Sequence, residues 1–289
     1  MSKIRSASKT RWADRCGSTL ARLLPSTIQL QVQQADQSGW RIDTRDLYCH
    51  RCGSTIGPEA VTERGCPFCI NESVAWDRLL RLSAYQDPMT AWILQMKYAR
   101  AWTWADWMGK QLATLIENLP ASDDTSPDQN QNPDQDQDHD RPDHGKTDAN
   151  HQSEKERQKN TRDHQHIAVC AVPMHWLRRW GRGFNQAQLI AESIAKARAW
   201  PTAPILKRTR RTAPQINLTP SQRAHNISGS IAIESVDLSG WEIWLVDDVK
   251  TTGSTLNLCA RLLRKAGAKT VNVAVAAVAD PKHADFQVV

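Results

Sequence analysis

Residues 241–256 read WEIWLVDDVKTTGSTL. The run Trp241–Val246 has the length and composition of a strand. Asp247 and Asp248 follow at once, then the small, hydroxylated segment Lys250-Thr251-Thr252-Gly253-Ser254-Thr255. Leu256, Leu258, Leu262 and Leu263 recur at helical spacing until Gly267 stops the pattern. The order is strand, acid pair, hydroxyl-rich turn, helix. A turn entering a helix N-terminus offers unpaired backbone N–H groups and the positive end of the helix dipole, which suit a phosphate. Gly253 lets the backbone come close to it. Ionised aspartates only accept hydrogen bonds, so vicinal sugar hydroxyls suit Asp247 and Asp248. A ribose 5′-phosphate therefore fits the stretch. The carboxyl end of a strand is where open α/β sheets bind ligands. The plain alternative is an ordinary strand-to-helix turn with two capping aspartates. A Walker loop is excluded, because the chain contains no G-x4-G-K-[ST].

The segments around this stretch alternate. IAVCAVPMH, from Ile167, is strand-like, and a basic, glycine-punctuated loop follows it, with Arg178, Arg179 and Arg182. Guanidinium groups pair with phosphate through two bonds, so these arginines are candidate anion contacts. A helix is predicted from about Asn185 to Arg198, a short strand at Pro204–Lys207, and a long cationic loop through TAPQINLTPSQRAHNISGS. Ile231–Ile233 is a candidate edge strand, and Thr270–Val278 one more buried strand. From residue 166 onward this alternation predicts an α/β fold with a largely parallel sheet and helices on both faces.

On the N-terminal side, Cys49-His50-Arg51-Cys52 and Cys66-Pro67-Phe68-Cys69 form two C-x2-C knuckles. Each brings two thiolates to one ion, and together they close a tetrahedral zinc site. His50 is expected at the surface. Gly53, Gly57, Pro58 and Gly65 permit the turns. A pair of redox disulfides is the rival reading. Residues 10–24 are expected to form a short helix ended by Pro25, and Gln29–Gln37 fits a strand or a loop equally. Asp87 and Pro88 suggest an N-cap and first helical residue. The helix is expected to run from Met89 to Leu119, with room for a break near Ala101 and a stripe that includes Leu94, Tyr98, Trp102 and Leu112. Trp102, Trp104 and Trp107 with Lys97, Arg100 and Lys110 are either core packing, the favoured reading, or a stacking surface for single-stranded nucleic acid.

The net charge of +6 hides a split. Residues 121–166 hold twelve acidic and six basic side chains and no Val, Ile, Leu, Met, Phe, Trp or Tyr, which leaves +12 on the rest of the chain. That segment is predicted to be a disordered insertion, and the basic remainder favours phosphate-rich partners. No apolar run is long enough to span a membrane and no signal peptide is visible, so a cytoplasmic location is expected. The twelve tryptophans, against three Phe and three Tyr, have no account in the sequence alone.

LVDDVKTTGST resembles the motif that binds 5-phosphoribosyl 1-pyrophosphate (PRPP) in type I phosphoribosyltransferases. Together with the two knuckles, MKYARAWTWADWMGKQLA, VPMHWLRRWGRGFNQAQLIA and LKRTRRTAPQINLTPSQRAHNI, it is similar to the ComF (GntX) family, a phosphoribosyltransferase-like group associated with natural competence. The resemblance covers nearly all of residues 49–279; the 121–166 insertion and the Gln-rich N-terminal stretch depart from it. It implies a type I phosphoribosyltransferase-like sheet over residues 167–289, with a zinc-ribbon module at 49–75 and a helical hood at 76–120. Residues 1–48 form a variable N-terminal segment. It implies that Asp247 and Asp248 hold the ribose hydroxyls as catalytic residues. Lys250, Thr251, Thr252, Gly253, Ser254 and Thr255 would bind the phosphosugar. Pro173, His175, Arg179, Arg182 and Lys207 would meet the pyrophosphate, and Mg²⁺ would bridge ligand oxygens. The implied function is a phosphoribosyltransferase working in DNA uptake or in salvage of nucleotides from external DNA. The alternative is a non-catalytic accessory protein that binds single-stranded DNA or protein partners and senses a phosphosugar or nucleotide; a purely structural zinc-ribbon adaptor is a third.

Overall fold

The computed structural model describes residues 25–57, 60, 62, 64–119, 166–174, 184–209 and 230–279. The chain divides into two units, Met1–Glu117 with Ile167–Val289, and Asn118–His166. The helix expected at 10–24, most of the 121–166 insertion and the cationic loop after Thr209 lie outside the described residues.

The first unit is built on a four-stranded, all-parallel sheet in the order β1-β6-β5-β2. Its strands are Arg78–Ala84 (β1), Ile167–Ala171 (β2), Glu242–Lys250 (β5) and Thr270–Val278 (β6). β6 lies between two neighbours and under helices, and Val271 to Val278 are all buried. A strand covered on both faces has no polar side to present, which explains the apolar run VNVAVAAV, broken only by Asn272, whose amide donates to Glu242 Oε1 at 2.9 Å. Leu206–Arg208 (β3) and Ile231–Ile233 (β4) form a separate antiparallel pair, so the sheet is parallel and this ribbon stands apart from it.

Helices cover both faces. Ser254–Lys265 (α5) packs Leu256, Cys259, Ala260 and Leu263 against Ile243, Leu245, Val271 and Val273 on one face. On the other, Thr103–Glu117 (α3) crosses Gln186–Arg198 (α4), and Gly109 has no Cβ because one would fall 2.4 Å from Cβ of Ser193.

Three expectations change. The segment 76–120, read as a helical hood, contributes β1 to the main sheet, paired from Arg78↔Asn272 to Ala84↔Val278. Its two arginines and a serine disguise it as a mixed segment. Arg81 is in fact 1 % exposed, pairs with Asp43 at 2.8 Å, and lies 4.8 Å from the ring centre of Tyr48. Second, the undecided Gln29–Gln37 belongs to a helix, Pro25–Gln37 (α1), and Pro25 opens that helix, a position where its missing N–H costs nothing. Third, Pro88 rather than Asp87 caps Met89–Tyr98 (α2), with no side-chain capping bond. The break allowed for near Ala101 is present: α2 and α3 are separate helices, divided where Arg100 takes a positive φ of 55°. The break resets the helical phase. The buried face of α2 is Met89, Trp92, Ile93 and Met96, while Leu94 and Tyr98 are exposed.

Four of the twelve tryptophans meet in one place. Trp92 stacks on Trp104 at 4.5 Å, and Trp40 and Trp107 meet them edge-on at 5.0–5.8 Å. They form a packed aromatic cluster joining the segment after α1 to α2 and α3. Trp104 is fully buried, so it stacks no base.

Candidate functional site

β5 carries the acid pair. The strand extends through Lys250, so Asp247 and Asp248 lie within its paired length, with Asp247 opposite Val275 of β6. Asp247 Oδ1 accepts the Asp248 N–H at 2.9 Å, and Asp248 Oδ1 accepts the Val249 N–H at 2.8 Å. Burial, and then the neighbouring Asp248 carboxylate, push Asp247 well above the usual carboxylate range. Lys97, in the last turn of α2, places Nζ 2.8 Å from Asp248 Oδ2. Nothing in the local sequence signals this contact, because it joins residues far apart in the chain.

The turn follows directly. Gly253 caps α5 with a φ of 75° and no side-chain capping bond. A Cβ there would sit 3.1 Å from Lys250 Cε and 3.3 Å from Trp76 Cη2, so glycine is required by conformation and by space. Thr251 and Thr252 are exposed, and the Thr252 and Ser254 hydroxyls are 3.0 Å apart. Thr255 occupies the first turn of the helix. Four hydroxyls and a helix N-terminus thus stand beside two carboxylates.

β2 runs parallel to β5, with Ala171 opposite Val246, so Val172 and Pro173 leave the sheet at the same edge as the acid pair. Asn185 Nδ2 donates to the Val172 carbonyl at 3.0 Å, closing the loop between them. His175, Arg179 and Arg182 lie outside the described residues. Lys207 is on β3 and its ammonium pairs with Glu234. Gln186, at the start of α4, is buried with neither end of its amide hydrogen-bonded among the described residues; nothing in the sequence marks it.

The four knuckle cysteines converge. Cys49, Cys52, Cys66 and Cys69 place their sulfurs within 4.8 Å of one another, all buried. Sγ–Sγ separations are 3.7 Å (Cys49–Cys69), 3.6 Å (Cys52–Cys66) and 3.8 Å (Cys66–Cys69). Zn–S bonds of about 2.3 Å in a tetrahedron give edges of about 3.8 Å, so the donor set fits that ion. Disulfide sulfurs would be bonded at about 2.0 Å, and these are not. A Cβ on Gly65 would lie 2.7 Å from Cys69 Sγ, which keeps that turn bare. His50 is not in the cluster.

The module is fastened to the 251–255 turn. Trp76 Nε1 donates to the Arg51 carbonyl inside the first knuckle at 2.7 Å, while its ring touches Gly253. Asn257 of α5 accepts the Ala75 N–H at 2.8 Å and donates to the Ser73 carbonyl at 3.1 Å.

Comparison with known proteins agrees with this architecture. The phosphoribosyl transferase domain matches residues 184–286. Competence protein F of Haemophilus influenzae is 27% identical over 232 residues, which cover 78% of this chain and 82% of that protein. The DNA utilization protein YhgH of Salmonella typhimurium is 30% identical over 230 residues, covering 78% of this chain and 81% of its own length. The chain belongs to the ComF family. The ComF resemblance carried by RGFNQA and the acid pair is thereby confirmed, and with it the phosphoribosyltransferase-like fold. A purine phosphoribosyltransferase from Pyrococcus horikoshii Ot3 aligns at 14% identity and a TM-score of 0.26 over 48% of this chain and 91% of its own, too slight a likeness to argue from. No helix among the described residues is long and apolar enough to cross a membrane.

Proposed function

We propose that this ComF-family protein binds PRPP or a related sugar phosphate at the end of β5 and serves the use of external DNA in the cytoplasm. The observation that carries the reading is the acid pair beside a glycine-capped helix N-terminus lined with hydroxyls. The ribose diol would lie on Asp247 and Asp248. The 5′-phosphate would lie on the 251–255 turn, with Lys250 beside it. Pro173 stands at the same sheet edge, where the pyrophosphate would lie; His175, Arg179, Arg182 and Lys207 are kept as proposed pyrophosphate contacts. Mg²⁺ suits the carboxylate oxygens and, when bound with the ligand, would neutralise its phosphates. Zn²⁺ is the proposed resident of the four-cysteine cluster, with a structural role, since all four positions are filled by protein.

The proposed reaction is pentosyl transfer. A nitrogen nucleophile forms a bond to C1 as the C1–O bond to pyrophosphate breaks, through an oxocarbenium-like state, with positioning and charge supplying the rate. Calorimetric titration with PRPP and Mg²⁺ tests the site. Wild type is expected to bind and Asp247→Asn/Asp248→Asn is not; equal binding by both would remove the assignment. The names of the relatives, a competence protein and a DNA utilization protein, favour a second reading. In it the site senses a phosphosugar or nucleotide without turnover, and the basic surface takes single-stranded DNA or protein partners. Retained PRPP binding with no pyrophosphate release across a panel of bases would select it.

A further inference from the structure

The two aspartates are not equivalent, and the reason is strand parity. Side chains alternate across a strand. Ile243 and Leu245 face α5 in the core, so Asp247 continues that row. Asp248 belongs to the opposite row with Trp244 and Val246, and there α2 delivers Lys97. The Nζ–Oδ2 distance is 2.8 Å, with the two side chains 16% and 15% exposed. A pair so sheltered is not diluted by solvent as a surface pair is. Asp248 is held at both oxygens, by the Val249 N–H and by Lys97. Each oxygen keeps a second lone pair for a hydroxyl.

The consequence is electrostatic. A sugar phosphate is an anion, and two bare carboxylates would repel it. Here Lys97 cancels the charge on Asp248, so that carboxylate no longer repels the ligand. The ligand's only strong charge then belongs on the turn, at the positive end of α5.

We infer that Lys97 is a built-in counter-ion that lets this site take ribose 5-phosphate and nucleoside 5′-monophosphates without a divalent cation. This rests on the phosphosugar reading above and adds to it a positioning residue and a ligand class. Lys97 acts through Asp248 and supplies in place the charge that a metal would otherwise bring.

The test is calorimetric titration of ribose 5-phosphate into zinc-loaded, desalted protein, with and without added Mg²⁺. Wild type is expected to bind in both buffers. Without Mg²⁺, Lys97→Met should bind about tenfold more weakly or worse, because a sheltered carboxylate loses its partner. Lys97→Arg should stay within about threefold of wild type, since the charge remains. Added Mg²⁺ should restore most of the Lys97→Met loss, a rescue that a merely structural role would not give. Lys97→Gln, which keeps a donor for Asp248 without charge, should show the same Mg²⁺-dependent defect with wild-type thermal stability. Wild-type binding only with Mg²⁺, or Lys97→Met binding as wild type without it, overturns the inference and leaves the phosphosugar site standing. No binding of ribose 5-phosphate in either buffer, with PRPP also silent, sinks the site and the inference together.

Discussion

The four-cysteine module and the acid-pair end of β5 touch each other, yet they are held in opposite ways. The cysteines are buried, point at one another and leave no open position. The acid pair is only partly covered, and its turn carries exposed threonines at a helix end with no side-chain cap. A closed site holds what completes its own fold; an open one holds something that comes and goes. Trp76 and Asn257 join them, so the closed site is the back wall of the open one.

The largest expected effect breaks the closed side. Cys66→Ser leaves three thiolates, and the metal binding that folds such a module is worth about 10–16 kcal/mol at neutral pH. Metal content measured by a colorimetric chelator should fall from one equivalent toward none. Ribose 5-phosphate affinity should fall with it, because Trp76 and Asn257 lose their anchor. Intact sugar-phosphate binding in a metal-free variant would show that the two regions are independent.

Gly253→Ala breaks the open side alone. Left-handed backbone costs a residue with a Cβ about 1–2 kcal/mol, and the contacts with Lys250 and Trp76 add to it. Phosphosugar affinity should drop about tenfold, the equivalent of 1.4 kcal/mol, while metal content stays at one equivalent.

Asp247→Asn sharpens the contrast between binding and stability. The carboxyl of Asp247 is raised above its ordinary 3.8 by burial and by Asp248. The folded state therefore holds that proton to higher pH than the unfolded chain, and stability is lost as pH rises through the folded value. Removing the charge should raise Tm near pH 8, by about 2–4 °C for each kcal/mol relieved. The gain should shrink toward pH 4, and ligand binding should weaken throughout. A Tm difference that does not vary with pH would deny Asp247 its raised value.

The smallest effect is expected at Lys207→Ala. Its side chain is 67% exposed and pairs with Glu234, an arrangement worth about 0–1 kcal/mol. Thermal melting should shift little. A large loss of PRPP affinity in the same variant would support Lys207 as a pyrophosphate contact, and an unchanged affinity would remove it.

What the sequence revealed follows from how local each signal is. The C-x2-C pairs and the DDVKTTGST turn place their chemistry within a few residues, so spacing alone exposes them. β6 was legible because both its faces are covered and, past Thr270, every position but Asn272 is apolar. β1 was not, because Arg81 is made tolerable by Asp43, Gly53 and Thr55, which no window around β1 contains. The break between α2 and α3 was suspected, but its effect on phase hid which side of α2 is buried. Lys97 was weighed only as a surface charge, because its partner is brought to it by the sheet. The tryptophan excess made sense only when Trp40, Trp92, Trp104 and Trp107 met in one cluster.

The pairing of β1 with β6 has a consequence for the chain as an assembly of parts. The strand that completes the sheet comes from before residue 118 and its neighbour from after residue 166. Lys97 with Asp248, Glu117 with Arg198, and the crossing of α3 over α4 join the same two stretches. A single proteolytic nick between them would sever one covalent link and none of these. The halves should co-purify as a complementing pair of fragments, and neither should possess a sugar-phosphate site of its own.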